Sequence, residues 1–158
     1  MPVASLPIHV VLPAFNEAEV LGEVVGEIRK WVDCPIIVID DGSRDETGAI
    51  ADRMAKEDGR IRVHHNPVNV NYGISLRRGI ALARCDWILH EPMDLPLAPS
   101  DIQAFVGHFS EADVIVARRV DRSANSMWRR FTSWANNLLL RALFRPHTTD
   151  LNFVQFYR

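Results

Sequence analysis

Ile36-Ile37-Val38-Ile39 runs into Asp40-Asp41-Gly42-Ser43, with Pro35 before it and Arg44-Asp45-Glu46-Thr47 after it. The four apolar residues suit a short strand that Pro35 opens and the acidic turn closes. Ser43 followed three residues later by Glu46 predicts a capping box. Behind it, Thr47, Ile50, Ala51, Met54 and Ala55 recur at helical spacing, and Gly59 ends the helix. The stretch reads as strand, acidic turn, helix.

The same alternation extends in both directions. Upstream, Ile8-His9-Val10-Val11-Leu12 is a strand closed by Pro13, which lacks a backbone donor. Asn16-Glu17 falls in a loop, and Val20, Leu21, Val24, Val25, Ile28, Trp31 and Val32 mark an amphipathic helix. Downstream, Ile61-Arg62-Val63-His64 is a third strand, and Asn69 to Gly73 is a turn. A third helix follows, with Ile74, Ile80 and Ala83 expected to face inward. Trp87-Ile88-Leu89 is a fourth strand, running into an acidic turn bounded by Pro92 and Pro96. Ser100 is expected to cap a helix carrying Ile102, Phe105, Val106 and Phe109, and Asp113 to Ala117 is a fifth strand. Short apolar strands alternating with amphipathic helices predict an α/β fold, a mostly parallel sheet with helices on both faces. At 158 residues the chain suits one domain with a substantial core.

After residue 117 the rhythm changes. Met127, Phe131, Trp134, Leu138 and Ala142 share one helical face, while Arg129, Arg130, Asn136, Asn137 and Arg141 interrupt the rest. Aromatics and arginines on one long helix suit an interfacial helix, or a helix packed on the body with its arginines in water. Phe153 to Tyr157 alternates as a last strand. Charge follows the same boundary. Residues 1–117 hold 10 of the 18 Lys+Arg and 18 of the 20 Asp+Glu, a balance of −8. Residues 118–158 hold 8 arginines against Asp121 and Asp150, a balance of +6. A basic quarter on an acidic body favours an anionic partner on one side.

Cys34 and Cys85 form no CxxC pair, so neither a zinc site nor a disulfide framework is implied, and a reducing compartment is expected. The N-terminus has no basic n-region or apolar h-region, and no run of about 18 apolar residues occurs. His64, His65, His90 and His147 show no metal-ligand spacing and read as structural.

Three strand ends collect polar groups: Pro13–Glu17, Asp40–Ser43 and Glu91–Asp94. In a parallel sheet these ends share one edge and can converge in a crevice. Neither GxGxxG nor GxxxxGK[ST] is present, so carboxylates rather than a glycine loop meet the ligand. That suits a nucleotide whose base and ribose bond to acids and whose diphosphate needs a bridging cation.

Val11-Leu12-Pro13-Ala14-Phe15-Asn16-Glu17 and the DDGS-x-D-x-T of Asp40 to Thr47 resemble the opening of family 2 glycosyltransferases with the GT-A fold. Asn69 through Gly79 and Ala83 through Ile88 continue the match in order, and Leu6 to about Ala117 is its firmest part. The resemblance implies an inverting transferase using a nucleotide-diphosphate sugar and a divalent cation, Mg²⁺ or Mn²⁺. By similarity Pro13, Phe15, Glu17, Asp41, Ser43 and Met93 line the nucleotide pocket, and Asp40 orients the loop or also contacts the nucleotide. Residues 118–158 resemble the polyprenyl-phosphate branch, the dolichyl-phosphate mannose synthase-like enzymes: Arg118-Arg119, Arg130-x-x-Ser133, the Asn137–Phe144 helix, Asp150 to Phe153 and Phe156-Tyr157-Arg158 carry it. In that branch a lipid phosphate attacks the anomeric carbon. It is ionised at neutral pH and needs no strong base, and an arginine fork matches its oxygens. Arg119 and Arg130 are the residues expected to hold it.

The resemblance divides a single domain, 1–158, into a nucleotide-sugar-binding part (1–117) and a basic acceptor- and membrane-facing part (118–158). The expected place is cytoplasmic, peripheral at the membrane face, with no nucleic-acid partner. Two positions depart from the family. Asn71 stands where Gly is usual, and Asn tolerates a left-handed backbone. The family's Asp-x-Asp falls on Pro92-Met93-Asp94, so the first carboxylate is absent and Asp94 is left as the expected metal ligand. A soluble or polysaccharide acceptor would need a base, for which Asp150 is the candidate. A non-catalytic nucleotide-sugar-binding module is the other alternative. Relatives in this branch generally continue past the position of Arg158, which implies a fragment or a minimal version.

Overall fold

The computed structural model describes residues 8–31, 33–90, 104–116, 132, 134–136, 138–139, 142–143 and 155–158. Its elements are β1 (Ile8–Ala14), α1 (Leu21–Trp31), β2 (Ile36–Asp40), α2 (Thr47–Glu57), β3 (Ile61–His65), α3 (Tyr72–Leu82), β4 (Trp87–His90), β5 (Val114–Val116) and β6 (Gln155–Tyr157). One sheet takes the order β3-β2-β1-β4-β6-β5. The first four strands are parallel, and β6 runs antiparallel to both β4 and β5.

Every residue of β1 and β2 is buried, because these strands are covered on both faces. Side-chain alternation sorts the core. Ile8, Val10 and Leu12 of β1, with Ile36 and Val38 of β2, meet Leu21, Val24, Val25 and Ile28 of α1 and Ala51 of α2. Val11, Ile37 and Ile39 point the other way, against Leu76 and Ala83. Phe105, Val106 and Phe109 extend the larger cluster, with Phe109 stacked on Trp87 at a centroid distance of 4.3 Å.

Three expectations need correction. Pro13 does not close β1, which continues to Ala14. Val10 and Ala14 bond toward the β2 side, so Pro13 turns its missing donor toward β4. The β4 ladder already ends at Val11↔His90, so no bond is lost. Ile74 is 51% exposed rather than inward. The helix α3 leans instead on Ser75 and Gly79, both buried, and a Cβ at Gly79 would stand 2.3 Å from Val11 Cγ1. Small residues set this close approach, and apolar periodicity does not register them. The third correction concerns the start of α2: Glu46 is the N-cap and no side chain caps the helix, so the Ser43–Glu46 box does not form.

Beyond β4, the described residues between 132 and 143 are helical. Ser100, Ile102, Ala117, Met127, Phe131, Phe153 and Val154 lie outside the described residues.

Candidate functional site

The topology creates the crevice. From β1 the chain turns one way, to β2 and β3, and it then crosses back through α3 to place β4 on the other side of β1. The C-terminal ends of β1 and β4 therefore flank the switch point of the sheet, where a ligand crevice is expected.

Side-chain hydrogen bonds join the loops after β1 and β2. Asn16 N–H donates to Ser43 Oγ at 3.0 Å, and Arg44 N–H donates back to Asn16 Oδ1 at 2.9 Å. Glu17 N–H donates to Thr47 Oγ1 at 2.8 Å, and Ala18 N–H to Asp45 Oδ2 at 3.2 Å. Thr47 in turn donates its N–H (3.0 Å) and hydroxyl (2.5 Å) to Asp45 Oδ1. The side-chain bond from Thr47 is the main reason the Asp45 carboxyl is held below the usual range. This is why Ser43 cannot cap α2: its oxygen is already used by a backbone 27 residues away. Asn16 accepts φ 56°, a left-handed value that Asn tolerates.

A second set of bonds joins the β2 loop to the loop after β3. Buried Asp41 accepts from Asn66 Nδ2 at 2.8 Å and from Val70 N–H at 2.9 Å, and Asn66 Nδ2 also donates to Ser75 Oγ at 2.8 Å. Arg78 donates to Asn66 Oδ1 from behind. Burial alone would raise the Asp41 pKa. Donors from Val70, Asn66, Ser75 and Asn71 outweigh it and lower the value, so the carboxylate is ionised. Gly42, at φ +69°, lets the two loops touch: a Cβ there would stand 2.6 Å from the Val68 carbonyl carbon. Asn71 adopts φ 72°, ψ 155°, and its carbonyl accepts from Ile74 and Ser75 at the start of α3. The left-handed turn survives the loss of glycine.

Asp40 lies one residue before this acidic pair's inner member and is also buried. Its Oδ1 accepts from Ser43 N–H at 3.0 Å, and its Oδ2 lies 2.9 Å from His65 Nδ1. Pro13, Phe15, Glu17, Asp40, Asp41 and Ser43 are thus brought together on the adjoining ends and loops of β1 and β2. Pro13 is buried, while Phe15 is 40% exposed and offers an aromatic face. At the end of β4, His90 Nε2 meets the Tyr72 hydroxyl, with the two rings edge-to-face at 5.4 Å. Met93, Asp94, Arg119, Arg130, Pro92 and Asp150 lie outside the described residues. Among the described residues no group of three His, Cys, Asp or Glu side chains could hold a metal.

Sequence reasoning missed Asn66, Thr47 and His65. Asn66 precedes Pro67 between a strand and a turn, and its role comes only from Asp41 and Ser75, 25 and 9 residues away. Thr47 is fully buried at a helix start, and only its long-range partner Glu17 gives it a role. Cys34 and Cys85 are free, as expected, and burial pushes the Cys34 thiol up to about 12.

A parallel sheet with acidic loops at its switch point defines a nucleotide-diphospho-sugar transferase, or GT-A, fold. Residues 9–156 match the glycosyl transferase family 2 model, and the chain belongs to that family. It is 32% identical over 159 residues to glycosyltransferase AglD of Haloferax volcanii, covering 93% of this chain and 26% of that protein. It is 31% identical to a dodecaprenyl-phosphate galacturonate synthase of Rhizobium johnstonii, covering 88% and 44%. It is 28% identical to an undecaprenyl-phosphate mannosyltransferase of Micrococcus luteus, covering 89% and 61%. The chain therefore spans less than two thirds of each of these relatives. Among solved structures, glucosyl-3-phosphoglycerate synthase of Mycobacterium tuberculosis, in complex with Mn²⁺, UDP-glucose and phosphoglyceric acid, superposes with a TM-score of 0.69 at 25% identity, over 95% of this chain and 55% of that one.

Proposed function

We propose that this chain is the donor-binding and reacting domain of an inverting glycosyltransferase that moves a sugar from a nucleoside-diphosphate donor to a polyprenyl phosphate. The observation that carries the reading is the crevice itself: an ionised, buried Asp41 and an exposed Phe15 on loops fixed by side-chain bonds. An aromatic face suits a base, and a fixed carboxylate suits the polar edge of a nucleoside. Two relatives are named for polyprenyl-phosphate products, which favours a lipid phosphate acceptor.

In this reading Pro13, Phe15, Glu17, Asp41, Ser43 and Met93 hold the nucleotide, and Asp40 orients its loop. An acceptor phosphate oxygen, held by Arg119 and Arg130, attacks the anomeric carbon as the bond to the β-phosphate oxygen breaks. The nucleoside diphosphate leaves, and no proton needs to move. A divalent cation, Mg²⁺ or Mn²⁺, would be held by Asp94 and the donor diphosphate, where it would neutralise the leaving charge. The Mn²⁺ complex of the mycobacterial neighbour supports that assignment. Contact with an anionic membrane surface is favoured by the +6 balance of residues 118–158 and by exposed Trp134, Leu138, Leu139 and Leu143 on the helical segment. Among the described residues no helix is long and apolar enough to cross a membrane.

A soluble acceptor is the second reading, favoured by the phosphoglyceric acid in the mycobacterial complex. A donor screen with polyprenyl phosphate and with phosphoglyceric acid, read by released nucleotide, separates the two. Release that depends on the lipid phosphate is expected. Release with the soluble acid alone would transfer the assignment, and donor binding without release to any acceptor would leave a nucleotide-sugar-binding module.

A further inference from the structure

His65 ends β3 with both ring nitrogens on carboxylates. Nδ1 lies 2.9 Å from Asp40 Oδ2, and Nε2 lies 3.1 Å from Asp52 Oδ1. A carboxylate only accepts, so each contact is a hydrogen bond only if the nitrogen carries a proton. Neutral imidazole has one N–H. Both contacts are hydrogen bonds to ionised carboxylates at once only in the imidazolium. Asp40 from β2 and Asp52 from α2 are the charged groups that face the ring from the two elements packed on it. Gly48 makes the arrangement possible: a Cβ there would stand 2.8 Å from Asp40 Oδ2 and 3.4 Å from the ring.

We propose that His65 is a positioning residue for the donor nucleotide: clamped as an imidazolium between Asp52 and Asp40, it fixes Asp40, whose other oxygen holds the Ser43 amide of the donor loop. This rests on the donor-binding role given to that loop above. Two effects act in the same direction. The Nδ1–H bond keeps Asp40 Oδ2 satisfied in a buried position, and the positive ring offsets a carboxylate charge at the edge of a crevice meant for a diphosphate. The first persists in any ring that keeps Nδ1–H; the second acts only while the ring is charged. The hydrogen bond to Asp40, followed by that to Asp52, raises the His65 pKa above its ordinary value of 6.5, against the lowering effect of burial. Loss of the proton as pH rises leaves one N–H for two acceptors. Asp40 keeps it by virtue of its burial, and the charge is lost.

The test has two arms on the whole chain. Without ligand, ¹⁵N spectra of the His65 ring and the Ser43 amide are followed from pH 5 to 9. The expected result is a doubly protonated ring at low pH and a Ser43 amide that moves with the same midpoint. Asp52→Asn should lower that midpoint by roughly half a unit to one unit, a figure kept small because Asp52 is exposed. A neutral ring at pH 6, or a Ser43 amide that ignores the His65 titration, would overturn the proposal. In the second arm, UDP and GDP are titrated by calorimetry. Affinity should fall roughly tenfold in total from below the midpoint to above it. His65→Gln, which keeps one N–H but no charge, should give a pH-independent affinity near the high-pH value of the wild type, and His65→Ala a weaker one. An affinity profile whose midpoint does not shift in Asp52→Asn would also overturn it. No binding of either nucleotide at any pH would sink the donor reading instead, and the spectroscopic arm would still decide the role of His65.

Discussion

The β3-β2-β1 half of the sheet and the β4-β6-β5 half are built by different means. In the first half the strands are parallel, five to seven residues long, and their loops are joined by side chains: Asn16, Asp40, Asp41, Asp45, Thr47 and Asn66 all bond across loops. In the second half the strands are three or four residues long, and the described contacts are mainly packing, with Trp87 stacked on Phe109 and Ile115 in the same cluster, beside the His90–Tyr72 contact and the Arg158–Asp113 ion pair. Polar bonds of fixed length define loop positions closely. Apolar packing stabilises without fixing them to the same degree. Pro13, Phe15, Glu17, Asp40, Asp41 and Ser43, proposed for the donor, lie on the half whose loops are bonded in this way.

That contrast can be broken most directly at Gly42. An alanine there must hold a positive φ and push its Cβ into the Val68 backbone, so Gly42→Ala should cost about 3 kcal/mol. It should also abolish UDP and GDP binding, because the β2 and β3 loops separate. Denaturant unfolding and calorimetry measure the two effects. Phe109→Ala is the counterpart on the other half. Removing a half-buried ring stacked on Trp87 should cost about 2 kcal/mol. Nucleotide affinity should stay within roughly twofold, since the ring's stacking partner Trp87 lies away from the β1 and β2 loops. If Phe109→Ala weakens nucleotide binding as much as Gly42→Ala does, the two halves are one cooperative unit and the division is wrong.

A smaller effect of opposite sign is expected at Asn71. Its φ 72°, ψ 155° lies in a region that glycine occupies freely and side chains do not. Asn71→Gly should therefore stabilise the fold by about 1 kcal/mol, after the extra unfolded-state freedom of glycine is subtracted. Thermal unfolding should show a raised Tm. A lowered Tm would mean that the Asn71 side chain holds something its backbone strain conceals.

The same contrast explains what the sequence disclosed. Strands β1, β2 and β4 were legible because each is a compact, mostly apolar run, β3 from Ile61 and Val63 alternating with Arg62 and His64, and the acidic strand ends because DDGS-x-D-x-T packs several signals into a few residues. Local patterns failed wherever a side chain bonds far along the chain. Ser43 fits a capping box by spacing, yet its hydroxyl serves Asn16. His65 looked structural until Asp40 and Asp52, 25 and 13 residues away, were placed on its two nitrogens. Pairing of β6 between β4 and β5 rests on three-residue ladders formed across distant segments, which no local periodicity encodes.

The smallest expected effect is the dependence of stability on pH, and its sign sets His65 apart from the other shifted groups of the sheet. His65, in the first half, has a raised pKa, so its contribution is complete below about 6.5 and is lost as pH rises through the higher native value. His90, at the end of β4, has its pKa lowered by burial; its contribution is present above about 6.5 and is lost as pH falls through the lower native value. Asp41 behaves like His90 at lower pH: stability present above about 3.8 is lost as pH falls through its depressed value. His9, in β1, also has its pKa lowered by burial and acts in the same direction as His90. In the wild type His65 opposes both rings. His65→Gln removes the opposing slope, so Tm should fall more steeply from pH 7 to acid than in the wild type. His90→Phe removes one of the two falling slopes, so Tm should fall less between pH 8 and 6 than in the wild type. If both variants keep the wild-type profile, neither ring changes its protonation between the folded and unfolded chain, and the imidazolium clamp on Asp40 is not formed.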